Sequence, residues 1–196
     1  MTLQQLIQLL KTSDTWQQID AHRDEIAQLI PEVSIMFDYD QNNRYHQYDL
    51  WRHTLMTVCY LPDHLDDVVY LAALLHDIGK VESRCKGKKA NDTQSHYYGH
   101  PVVSARIVRQ RIIPGLLKKG EIMDDQMIND LLWLVEHHDD TLAKKDAQII
   151  KIRQQIGYRL FSMWMELQKA DAKAHVILPK VLFRIVTCEK WALYID

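Results

Sequence analysis

The residues best suited to chemistry are a histidine and an aspartate side by side, His76-Asp77, directly after the apolar run Val68 to Leu75. That run reads as a central, buried helix, so both groups stand where leucine would pack. An ionisable side chain in such a place is costly unless it is paired or binds a metal. Imidazole and carboxylate are the ligands that hold divalent first-row metals. His53 lies one turn into the preceding helix, and Asp171, within LQKADAKAH, interrupts an amphipathic pattern late in the penultimate helix. Four such groups on three helices would close one metal shell and leave a position for water. The plainer reading is a set of buried polar residues satisfying one another.

Around this constellation stand further candidates. Lys80, one turn past His76, is expected near the same helix end, where its ammonium would hold a phosphate oxygen as charge develops; a capped, solvated helix end is the alternative. Lys86, Lys88 and Lys89 would steer an anion or simply solvate a loop. Arg52, Arg153 and Arg159 read as helix-surface arginines, and His22, His64 and His175 as surface or packing histidines. His46 and His96 lie in loops near the motif segments and are candidates to line the pocket. Tyr97-Tyr98 would anchor a loop or stack a base.

The elements that must position these groups are helices. Leu3, Leu6, Ile7, Leu9 and Leu10 share a face, and a second helix opens near Ser13-Asp14, carries Trp16, Ile19, Ile26, Leu29 and Ile30, and stops at Pro31. Residues 32–49 read as a loop, followed by a helix from about Leu50 to Leu61. Asp66 or Asp67 caps the apolar helix, which is expected to end at Gly79. A mobile surface loop is expected from Glu82 to Gly99, then a helix from Pro101 to about Ile113, closed by Pro114-Gly115. Asp124-Asp125 introduce MINDLLWLVEHH, with Ile128, Leu131, Leu132 and Val135 inward. One long helix is expected from about Ala147 to His175, and a last one after Pro179 with Val181, Leu182, Ile185, Val186 and Trp191 as its stripe. No sustained alternation of period two and no repeat is visible, so the fold class is all-α.

Composition sets the outer limits. A chain of 196 residues with 47% hydrophobic content supports one compact core, and a formal charge of -2 gives no broad footprint for nucleic acid. The cysteines, Cys59, Cys85 and Cys188, are widely spaced without a CxxC pair, which fits a reducing cytoplasm better than a disulfide framework. No apolar run approaches the roughly 20 residues of a membrane span, and the N-terminus shows no charged leader.

Read in order, His53, His76-Asp77 and Asp171 resemble the H…HD…D signature of the HD-domain phosphohydrolase superfamily. QNNRYHQYDLWRHTL, HDIGK, GHPVVSARIV, LVEHH and ADAKA follow in the order seen in the HD domain of bacterial tRNA nucleotidyltransferases, the CCA-adding enzymes, over roughly residues 30–190. The resemblance implies a compact helical bundle of the HD-domain type over 31–196, with 1–30 as a helical extension packed on it. It also implies one metal held by His53, His76, Asp77 and Asp171. In two-metal members the aspartate of the HD pair bridges to a second ion; the matching ligands here are His100 and one or both of His137 and His138. The inward stripe of the 127–138 helix favours His138. His100 has an alternative as a helix cap before Pro101. The acidic ligands of a nucleotidyltransferase domain are not in this sequence, so CCA addition is not expected.

The implied activity is hydrolysis of a phosphomonoester or phosphodiester by a metal-activated water, with Asp77 and Lys80 in the catalytic machinery. One or two divalent ions among Mn, Fe, Co, Ni, Zn and Mg would serve. The expected substrate is small and nucleotide-like, with an RNA end as a further class. A non-catalytic, metal-containing module that senses a nucleotide is the alternative, and oxidative chemistry at an iron pair a third reading.

Overall fold

The computed structural model describes residues 1–88, 91–142 and 145–192. Its helices are α1 (Leu3–Thr12), α2 (Trp16–Asp20), α3 (Arg23–Leu29), α4 (Leu50–Cys59), α5 (Asp67–Leu75), α6 (Lys80–Ser83), α7 (His100–Ile107), α8 (Ile113–Lys118), α9 (Asp125–His137), α10 (Asp146–Ile156), α11 (Tyr158–Ala174) and α12 (Pro179–Ala192). A 3-10 turn spans Pro31–Met36 and a π turn Val108–Ile112. The fold is all-α, as expected. Its helices start where side chains supply the missing acceptors: Asp49, Asp66 and Asp124 accept from the N–H groups of Arg52, Val68 and Met127. Thr2 and Gln5 form a reciprocal capping box at α1.

Every residue from Val68 to Leu75 in α5 is buried, because α4, α9, α11 and α1 surround the helix. A helix apolar all round has to be central, and its end is therefore delivered to the middle of the molecule. There α5 stops at Leu75 rather than running to Gly79, and His76 caps it. Gly79 then lets α7 cross close by: a Cβ there would collide with Ser104 N and His100 O, and its N–H donates to Ser104 Oγ at 2.8 Å.

Several expected elements differ. The helix expected over 14–30 is broken at Ala21-His22, with Trp51 Nε1 donating to Asp20 at the end of α2. The long helix expected from Ala147 to His175 is two helices hinged at Gly157, whose φ of 80° and ψ of 159° belong to glycine alone. Pro114 does not end its helix. The π turn before it, with Ile113 N–H reaching Val108 O, widens the coil so that the proline ring is accommodated and α8 continues. The segment 82–99 holds a short antiparallel pair, Cys85 opposite His96 and Lys86 opposite Ser95, too brief to show as alternation. On α12, Leu182 and Val186 are exposed, while Ile185, Cys188 and Trp191 are buried, so the inward face is rotated from the expected stripe. No helix among the described residues is long and apolar enough to cross a membrane.

Candidate metal centre

Four buried side chains from three helical segments meet at the end of α5. His53 comes from α4, His76 and Asp77 from the turn after α5, and Asp171 from α11. His53 Nε2 stands 3.3 Å from Asp77 Oδ2 and 3.1 Å from Asp171 Oδ1. His76 Nε2 stands 3.2 Å and 3.6 Å from the same two oxygens. Two ligand atoms on a shell of about 2.1 Å radius are separated by about 3.0–3.4 Å in octahedral or tetrahedral geometry. Three of the four observed edges, 3.1–3.3 Å, fall within that range, so the four groups could hold one cation.

A second set shares the same aspartate through its other oxygen. Asp77 Oδ1 lies 3.1 Å from His100 Nε2 and 3.5 Å from His138 Nε2, and the two imidazole nitrogens are 3.2 Å apart. His100 opens α7 and His138 follows α9. The Nδ1 atoms of His76, His100 and His138 each lie 2.8–2.9 Å from a backbone carbonyl three residues back, Ala73, Tyr97 and Val135. Those carbonyls accept from Nδ1–H, so the Nε2 atoms are aimed at one another and at the carboxylates.

Imidazole nitrogens and carboxylate oxygens converging in a buried space repel unless positive charge, a proton or a metal ion, lies between them. His53 Nε2, His76 Nε2, Asp77 Oδ1 and Asp171 Oδ1 are buried without a hydrogen-bond partner, a costly state for polar atoms. Imidazole nitrogen with carboxylate oxygen is the donor set divalent first-row metals favour, so both sets fit such ions. The electrostatics agree. Burial alone would raise the carboxyl of Asp77, yet His76, Lys80 and the adjoining imidazoles of His100 and His138 hold it well below the carboxylate range. Asp171 is likewise held low, against burial, by His175, Arg184, His53 and His76. His138 is pushed down by burial and its imidazole neighbours, which keeps it a neutral ligand.

His53, His76, Asp77, His100, His138 and Asp171 are thus brought together, and His137 is not. Its ring packs on Trp133 at 4.4 Å and its Nδ1 lies 3.0 Å from Asp140, because neighbouring side chains on a helix diverge by about 100°. Lys80 is neither solvated nor free: only 4% exposed, it bonds Asp77 Oδ2 at 2.6 Å, Gln41 Oε1 at 3.0 Å and His46 Nε2 at 3.3 Å. Lys86 and Lys88 are exposed, while Lys89 lies outside the described residues. Arg52 packs between Trp16 and Tyr48, Arg153 covers Tyr158, and Arg159 pairs with Asp66 and Asp130.

A cleft of about 300 Å³ reaches the centre, lined among others by Asp77, Lys80, Tyr98, His100 and His138. His46 lines it as expected. His175, read from sequence as a surface or packing residue, lines it too, with Nδ1 2.8 Å from the carbonyl of Asp171. Burial lowers both imidazoles with help from Lys80, His175 to about 4. His96 is held instead by Asp92 in the hairpin. Sequence reasoning missed Arg184. Its guanidinium bonds Asp171 Oδ2 at 3.0 Å, the carbonyl of His138 at 2.6 Å and Gln168 Oε1 at 3.1 Å. The signal was present: a cation among inward positions of α12, as Asp171 is an anion among those of α11.

Compared with known proteins, residues 50–171 match the family described as HD domain, a span that includes every residue of both ligand sets. No curated protein and no solved structure matches the chain. The match supports the superfamily and says nothing of the narrower likeness to tRNA nucleotidyltransferases.

Proposed function

The chain belongs to the HD domain family, and on that premise we propose that it hydrolyses a phosphomonoester or phosphodiester of a small, nucleotide-like substrate at a two-cation centre. HD domains are generally metal-dependent phosphohydrolases, and His and Asp residues that could hold a metal cluster here. The observation that carries the reading is Asp77, whose two oxygens face two separate histidine sets. Divalent cations, when bound, supply an activated water at neutral pH and neutralise phosphate charge.

The chain's own residues do the rest. His53, His76 and Asp171 would hold one ion and His100 with His138 the other, with Asp77 common to both. The carbonyls of Ala73, Tyr97 and Val135 keep the imidazoles aimed. Lys80 balances the charge of Asp77 and walls the cleft where a phosphate would lie.

The test is metal-stimulated phosphate release from an aryl phosphate, or ring opening of a 2′,3′-cyclic nucleotide. His76→Ala and Asp77→Ala proteins should stay folded and lose it. Inactivity of the wild type across metals and substrates, together with a nucleotide-induced thermal shift, would select a sensing module instead.

A further inference from the structure

The cleft does not end at the metal ligands. His46, Asp139 and His175 also line a second groove of about 390 Å³, which continues over Tyr45, Leu142 and Phe183. Cleft and groove meet at these three residues, and each part has its own aromatic. Tyr98 lines only the cleft and Phe183 only the groove. Their exposures, 60% and 58%, are high for large apolar rings beside a polar centre. Tyr98 stacks on His96 at 5.3 Å and 14°, and His96 is held by Asp92 at 2.8 Å. Phe183 rides on α12, which Arg184 pins to the centre.

A phosphate group alone fills neither part, since cavities of some 300 Å³ and more accommodate drug-sized organic ligands. A monoester has one organic group and needs one extension; two extensions with aromatic walls suit phosphorus carrying an organic group on each side.

We infer that the substrate is a phosphodiester whose two ester groups both carry flat aromatic units, one against Tyr98 and the other between Tyr45 and Phe183. The inference rests on the hydrolytic reading above. Water adds to phosphorus, the bond from phosphorus to one ester oxygen breaks, and that oxygen takes a proton, giving an alcohol and a phosphomonoester.

The experiment compares a dinucleoside monophosphate with a nucleoside monophosphate on the metal-loaded protein, using wild type, Tyr98→Ala and Phe183→Ala. A titration with the phosphorothioate-linked dinucleotide reads binding apart from turnover. Expected is preference for the dinucleotide, with each variant lowering its kcat/KM and its affinity by roughly 5- to 150-fold, the range of a lost base–aromatic stack. Preference for the monophosphate, or indifference of dinucleotide binding to both substitutions, overturns the inference while leaving the hydrolase reading intact. Tight dinucleotide binding lost in both variants without any turnover would do the reverse, sustaining the two subsites and removing the hydrolytic reading.

Discussion

At the scale of single residues, the pair His137-His138 separates a histidine that faces the candidate metal centre from a neighbour of the same chemistry. His138 Nε2 faces Asp77, whereas His137 is engaged by Trp133 and Asp140. His138→Ala should therefore lower the affinity of one ion by at least about 10-fold, and His137→Ala should leave it within about 2-fold, as read by metal titration with elemental analysis. Equal losses would sink the assignment. The protonation of His76 gives a second prediction. Burial would lower this imidazole from its ordinary 6.5, but Asp77 and Asp171 outweigh burial and push it up to about 10 in the metal-free protein. Between those values it carries a proton that an incoming ion must displace. Metal binding near pH 8 should release protons, and affinity should rise with pH through this window. Calorimetry in buffers of different ionisation heat measures the release; a buffer-independent heat would contradict it.

At the scale of elements, the centre depends on a helix outside the family match. Residues 50–171 carry the candidate ligands, but Arg184 on α12 holds the second oxygen of Asp171 and the carbonyl of His138. It is a positioning residue: its planar fork reaches two helices at once, which a lysine cannot reproduce. Arg184→Met should weaken metal binding by about 10- to 100-fold, with Arg184→Lys restoring only part. Unchanged metal affinity in a folded Arg184→Met protein would show that α12 merely covers the site. Glycines set two other junctions. Gly79 permits the crossing that brings His100 to Asp77, and Gly157 turns the chain so that α11 can present Asp171 independently of α10.

At the scale of the whole molecule, the centre lies where α4, α5, α7, α9 and α11 converge, so occupancy and stability are linked. A cation at about 100 times its Kd adds about 2.7 kcal/mol to folding, which for a domain of this size raises Tm by roughly 5–10 °C. Thermal unfolding with and without a chelator tests this; identical Tm values would argue that the ligand sets do not close. Acid works in the opposite direction. Asp77 and Asp171 titrate well below 3.8 in the fold, so their stabilising share is complete above that value. It is lost as pH falls through their folded range.

The helical class and the identity of His53, His76, Asp77 and Asp171 were legible in the sequence, because an ionisable group on an apolar helix face is conspicuous against a periodic background. The same background hid Arg184, whose neighbours Leu182 and Val186 made the outward face of α12 read as inward. His175 was passed over because a histidine at a helix end has many ordinary uses. Only the tertiary structure decided that His138 and not His137 faces the centre, and that Lys80 is committed to Asp77. Periodicity gives a face to within a residue or two at a helix end. Convergence of side chains from separate helices depends on packing angles that no local pattern encodes. Residue types and their order along helices therefore determined the kind of centre this chain builds, while the crossing of α5, α7, α9, α11 and α12 decided which atoms compose it.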